Sequence, residues 1–270
     1  MKKFLIIFSL VLNMNIHAQA INGLASVVPG MGQSLNGNHW EGAAYFLSSL
    51  GLMFIAKDPK LNTVGLNIAF YNMYDAWRDA GGKPSNKKGN IFYDYGQTFN
   101  PLNIADPFAV GLLSLAGLNR GNARKTARED AQRDNDQEFI HRRLTTEGWK
   151  SMLTYASVGM GEEALFRGFL FPAISQGIGY WGGAVASSAI FAFAHTGANT
   201  KQNLVRGGLG MLFCWQYYRN KFNLKHNIFT HAWYDQILIG PFNVAGQRQD
   251  EEQKFNWNDM PIGASFTFSY

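Results

Sequence analysis

The sequence predicts an all-α chain folded as a multi-pass membrane helical bundle. Three observations carry that expectation. Only 16% of the 270 residues are Asp, Glu, Lys or Arg, against roughly 25% in an ordinary soluble protein. Runs without formal charge recur along the chain, at lengths approaching the ~20 residues of a spanning helix. The clearest run, Gly168 to Thr200, gathers Gly182, Gly183, Ala184, Ala186, Ser187, Ser188 and Ala189 in its second half, and small residues of this kind let helices approach closely inside a bilayer. A mean hydropathy of −0.16 means that polar connections dilute these runs. Other classes are excluded. An aromatic content of 14% is not that of a disordered chain. The single Cys214 supports neither a disulfide scaffold nor a cysteine-rich zinc module. A net charge of +5 scattered over 24 basic and 19 acidic residues builds no basic patch, so no nucleic-acid partner is expected.

Residues 1-20 read as a signal peptide. Lys2 and Lys3 form a basic start, Phe4 to Leu12 an apolar core, and Ala18-Gln19-Ala20 a small-residue cleavage site. An exported N-terminus follows, in a protein of the bacterial inner membrane. No Cys follows the apolar core, so a lipoprotein anchor is not expected there. Residues 21-82 form a membrane-associated helical segment. It opens with Pro29-Gly30-Met31-Gly32-Gln33, which resembles a short segment common in small bacterial membrane proteins and reads as a turn before a helix, with Trp40 suited to the interface. Two charge-free runs follow, Gly42 to Ala56 and Leu61 to Tyr74, joined by Lys57-Asp58-Pro59-Lys60.

Residues 83-147 read as a polar connection holding one apolar helix (107-119). Within it, Gly81 to Asp106 reads as exposed, being rich in Gly, Asn, Lys and Pro. Arg120 to Lys150, where basic residues outnumber acidic ones, reads as a solvated helix or loop on the cytoplasmic side. Arg142-Arg143 suits a membrane-flanking anchor. Residues 148-240 hold the remaining runs, Gly168 to Thr200 broken at Pro172 and Gly177-Ile178-Gly179, Gly207 to Tyr218, and His226 to Gly240 interrupted by Asp235. Residues 241-270 are a polar tail in which Ala264 to Tyr270 alternates like a short strand. The count expected is five to seven embedded or buried helices.

The chemistry concentrates in the 148-240 segment. Glu162, Glu163 and Arg167 stand between apolar stretches. Glu163 and Arg167 are four apart and pair on one helix face. Glu162 points about 100° away on the same helix and serves something else. An ionisable group in a membrane helix costs ~2.5–3.5 kcal/mol even on lenient insertion scales, which marks it for function or for a partner. Phe191 and His195 share a face four residues apart, as do His231 and Asp235.

These three pieces, in this order, resemble the motif set of the CPBP family of CAAX-protease and bacteriocin-processing membrane peptidases, also called Abi: Glu-Glu-x-x-x-Arg, Phe-x-x-x-His, and His-x-x-x-Asn or Asp. The resemblance implies an all-α intramembrane peptidase. Glu162 would be the general base on a water that His195 helps to hold. His231 and Asp235 would stabilise the oxyanion, and Glu163, Arg167 and Phe191 would support the site. Asp235 departs from the Asn found in many relatives. An ionised Asp repels an oxyanion, so it must be protonated or must orient His231.

Two further readings stay open at this stage. His195, His231 and a Glu could form a three-ligand zinc site. The chain has no His-Glu-x-x-His, and the resemblance favours a metal-free, glutamate-dependent reaction with no cofactor. The chain could instead be a non-catalytic membrane scaffold or bacteriocin-immunity-type protein in which the same residues join helices. The expected partners are the lipid bilayer and a membrane-bound peptide or protein substrate. The sequence specifies neither the oligomeric state nor the substrate.

Overall fold

The computed structural model describes residues 18–85, 89–133, 146–195 and 199–238, and among these every regular element is helical. The all-α expectation therefore holds. The helices are α1 (Ala18–Ala25), α2 (Met31–Leu35), α3 (His39–Leu50), α4 (Pro59–Asp79), α5 (Ile91–Gly96), α6 (Pro107–Arg133), α7 (Thr146–Glu163), α8 (Phe171–Ala194), α9 (Thr200–Arg219) and α10 (Lys225–Leu238). Most of the signal peptide (residues 1–17), Arg142-Arg143 and the 241-270 tail with its Ala264 to Tyr270 strand lie outside the described residues. The expected cleavage boundary at Ala20 falls within α1, and Ala20 is buried in the core.

Local chemistry sets the helix limits. Asp58 caps α4, its side chain accepting from the Lys60 N–H at 2.8 Å, and Pro59 occupies the first turn where a missing N–H costs nothing. Asn199 and Gln202 form a capping box at the start of α9. Pro172 sits in the first turn of α8 instead of interrupting it. The predicted break at Gly177-Ile178-Gly179 is a kink within α8, where Gly179 takes φ +76°. Short π-helical turns extend α3 (Gly51–Ile55) and join α7 to α8 (Ala164–Leu170).

The Pro29-Gly30 turn also fixes a helix crossing. Gly30 has φ +84°, and a Cβ there would stand 1.9 Å from the Gly42 carbonyl oxygen. Its N–H donates to Asn72 Oδ1 at 2.8 Å. The motif thus fastens the N-terminal hairpin to α4 through Asn72, Gln33 and Asp75. Trp40, beyond it, is exposed as the interface reading expects.

α4, α7, α8, α9 and α10 enclose the core, where Tyr71, Tyr74, Trp77, Phe169, Phe171 and Tyr217 are buried. Among the described residues one continuous helical stretch, Lys150–Ala194, is long and apolar enough to cross a membrane.

The connecting segment differs from expectation. Gly81 to Asp106 reads in the sequence as exposed, yet α5 and two 3-10 turns, Gln97–Phe99 and Pro101–Ala105, lie against α10 with their polar side chains buried. The two carboxyls of the segment, Asp94 and Asp106, find partners in the bundle, which offsets the cost of burying them. The Tyr71 hydroxyl donates to Asp94 at 2.7 Å. Burial pushes the Asp94 carboxyl up to about 6, against the lowering effects of Tyr71 and Arg78. Asp106 accepts from Asn220, at 2.9 Å, and from Arg219. Burial pushes its carboxyl up, but these donors and the Ala109 N–H more than offset that and hold it below its usual value. The apolar helix predicted over 107-119 continues as α6 to Arg133.

Candidate active site

Three helices and the turn after α7 bring the predicted residues together. Glu162 and Glu163 end α7, Arg167 lies in the π-helical turn that follows, His195 caps α8, and His231 and Asp235 lie one turn apart on α10. α7 and α10 cross closely because Gly159 has no side chain: a Cβ there would stand 2.7 Å from Ala232.

Glu163 is a structural junction. It is wholly buried, and its Oε1 accepts from Arg167 Nη1 at 2.9 Å and from His231 Nδ1 at 2.7 Å. Its Oε2 accepts from Asn227 Nδ2 at 3.1 Å. Asn227 donates also to the Phe213 carbonyl at 2.9 Å, tying α10 to α9. The predicted Glu163–Arg167 pair is therefore present. The Arg167 guanidinium lies 4.4 Å from the Phe191 ring centre and 5.1 Å from that of Phe213, so Phe191 supports the ion pair through its π face.

Glu162 is placed otherwise. It is buried, and its Oε2 has no hydrogen-bond partner among the described residues. His231 Nε2 lies 3.7 Å from that oxygen and 3.6 Å from Asp235 Oδ2. Both separations exceed a direct hydrogen bond. His231 donates Nδ1–H to Glu163, which leaves Nε2 toward Glu162 and Asp235. Phe213 stacks on the imidazole, with ring centres 5.4 Å apart. His195 donates Nδ1–H to the Phe191 carbonyl at 2.7 Å, so its Nε2 carries the ring's lone pair when neutral.

Glu162, His195, His231 and Asp235 all line one cavity of about 220 Å³. Its walls include Leu66, Phe70 and Val158, and Arg206 of α9 lines it as well. A few polar groups converging in an apolar cavity is the usual form of a small binding site. Sequence reasoning missed Asn227, Phe213 and Arg206. Asn227, His231 and Asp235 fall at four-residue intervals, a polar stripe on an apolar helix that could have revealed Asn227.

Among the described residues, the three-residue group of ligand type whose donor atoms all lie within 4.8 Å of one another is Glu41, Asp75 and Asp79, not His195 and His231 with a glutamate. Arg78 pairs with both Asp75 and Asp79 in that group.

The site thus gathers two carboxyl groups, Glu162 and Asp235, and two imidazoles, His195 and His231, around an apolar cavity. The family model described as type II CAAX prenyl endopeptidase Rce1-like matches residues 145–237, a stretch that includes α7 to α10 almost to its last turn and every motif residue. Residues 145–237 are therefore a domain of the CAAX-protease kind. No curated protein and no solved structure matches the chain.

Proposed function

We propose that the chain is a multi-pass intramembrane endopeptidase that hydrolyses a peptide bond of a membrane-associated peptide or protein with a glutamate-activated water. The observation that carries this reading is Glu162, buried at the cavity with an Oε2 that no group among the described residues satisfies. A water between Glu162 and His195 would lose its proton to Glu162 and attack the scissile carbonyl, and the same carboxyl would return the proton to the leaving amine. His231, held by Glu163 at Nδ1, would present Nε2–H to the oxyanion as the doubly protonated imidazolium, flanked by the Glu163 and Asp235 carboxyls. Asp235, at 3.6 Å from Nε2, acts on His231 and not on the oxyanion. In this reading no cofactor takes part; among the described residues His195, His231 and a glutamate do not form a triad whose donor atoms all lie within 4.8 Å of one another, which supports a metal-free reaction.

Membrane embedding is supported by the apolar side chains exposed on α8 and α9, among them Trp181, Val185, Leu204 and Trp215. A bacterial inner-membrane location with an exported N-terminus completes the reading.

The test is cleavage of lipidated peptides, a prenylated one among them, by the purified full chain. Glu162→Gln and His231→Ala should each abolish turnover while the protein still accumulates, and 1,10-phenanthroline should leave the parent active. Processing at the parent's rate by both variants would leave a non-catalytic scaffold as the better description.

A further inference from the structure

The segment from Ile91 to Asp106 is inside out for a surface in water. Its charged residues are Asp94 and Asp106, and both are buried. Between Ile91 and Asp106 every buried residue is polar: Asp94, Gln97, Thr98, Asn103 and Asp106. The exposed residues are apolar, glycine or proline, led by Phe92 at 85% and Leu102 at 77% exposure, with Tyr93, Phe99 and Ile104 between and beside them. α6 extends the apolar surface, with Val110, Leu115 and Leu118 exposed while Ala109, Leu112 and Ala116 face the core, and it carries no charged residue before Arg120.

We infer that residues 91–105 form an in-plane anchor that inserts into the lipid interface and braces the catalytic helix α10 from the side. Two physical constraints set its depth. The segment is broken into a six-residue helix and two 3-10 turns, too short to span a bilayer. Its irregular backbone cannot sit in hydrocarbon, where unpaired N–H and C=O groups go unsatisfied. The headgroup–acyl boundary meets both constraints, and Phe92, Tyr93 and Phe99 are aromatic side chains of the kind enriched there. The absence of exposed charge selects lipid over water.

The inward-facing groups carry the connection to the site. Trp233 Nε1 donates to the Thr98 carbonyl at 2.8 Å, and His226 Nδ1 to the Asn103 carbonyl at 3.4 Å. These two residues flank His231 on α10. Arg219, the last residue of α9, and Asn220, which follows it, hold Asp106. The anchor thus sets the height of His231 and Asp235 relative to the membrane surface. It lies wholly outside the matched 145–237 domain, so the position of the site in the bilayer is supplied by the part of the chain that precedes it. The inference rests on the membrane placement proposed above and is independent of catalysis.

The test places a nitroxide at Phe92→Cys and at Leu102→Cys in the full chain, reconstituted in phosphatidylcholine–phosphatidylglycerol vesicles. The sole native cysteine, Cys214, is buried, and label on the unsubstituted chain gives the background. Val185→Cys on α8 is the lipid reference and Lys201→Cys on α9 the water reference. At 92 and 102, relaxation by a water-soluble nickel chelate should be several-fold weaker than at 201, and the depth should be shallower than at 185. Two results would overturn the anchor: nickel access equal to that at 201, or protection that disappears as protein is diluted into excess lipid, which would show a second copy covering the face. If 185 is shielded and 92 and 102 are not, the anchor alone fails. If nickel reaches 185 as well, the membrane placement fails with it.

Discussion

Replacing Glu162 and Glu163 separately should divide chemistry from architecture, although the two are adjacent and both buried. Glu163 accepts from Arg167, His231 and Asn227. Glu163→Ala would leave the 1%-exposed Arg167 guanidinium as an unpaired charge between aromatic rings, a loss of about 3–5 kcal/mol for a broken buried ion pair. The released His231 adds to the damage. Among the described residues Glu162 Oε2 makes no hydrogen bond, so Glu162→Gln breaks no hydrogen bond of that oxygen. Its effect on stability should stay within about 1 kcal/mol. The rates should rank the other way: loss of a positioned general base lowers turnover by roughly 10²–10⁴. Both quantities can be read from one preparation in detergent or lipid, by thermal unfolding and by release of a quenched fluorophore from a lipidated peptide. If Glu162→Gln unfolds as readily as Glu163→Ala, or cleaves within tenfold of the parent, the division of roles is wrong.

The same geometry fixes several other outcomes. Asp235→Asn should keep most activity, because the amide can still accept near His231 Nε2 and can also donate to an oxyanion, whereas Asp235→Leu should reduce kcat by at least tenfold; a kcat for the Asn variant as low as that of the Leu variant would refute the role. Gly30→Ala should destabilise the fold by roughly 2–5 kcal/mol, combining a positive φ with a 1.9 Å approach to the Gly42 carbonyl; unchanged thermal unfolding would show that the hairpin yields. Asp94, raised from 3.8 to about 6 by burial, contributes stability that is full below pH ~4 and is lost as pH rises through 6. Asp94→Asn keeps an acceptor for Tyr71, so it should match the parent near pH 4 and exceed it above pH 6 by up to roughly 3 kcal/mol at 1.36 kcal/mol per unit; parallel stability curves would contradict this.

The legible part of the fold was the part governed by helix pitch and by runs without charge. Leu61 to Tyr74 lies inside α4, and His226 to Gly240 corresponds to α10. The 3.6-residue repeat separated Glu162 from the Glu163–Arg167 face, and the structure keeps that separation. Asn227 is easily passed over because its partner is Glu163, far away in sequence, and only its four-residue spacing from His231 sets it apart within the apolar run. Arg206 stands at the edge of the Gly207 to Tyr218 run, where a basic residue reads as a flank; only the packing of α9 brings it to the cavity. The 91–106 segment was misread for a different reason. Polarity predicts exposure only when the surroundings are water and the bundle has no partners to offer, and here Tyr71, Asn220 and Arg219 take the polar side chains inward.

The position of the charges also decides which carboxylate can act as a base. A carboxylate whose oxygens already accept from a guanidinium, an imidazole and an amide has its lone pairs committed, and taking a proton from water would break those bonds. Glu163 is in that state. Glu162, one residue earlier, inherits the rigidity of the same helix end but none of those bonds at Oε2, and it opens to the cavity that His195 and His231 share. Rigid support with an unsatisfied oxygen is what a general base needs, since its bond to the reacting water then forms without a competing protein bond being given up. The adjacent pair divides the two requirements, one carboxylate fixing the helices and the other left for the substrate water. A single glutamate at this helix end could not meet both.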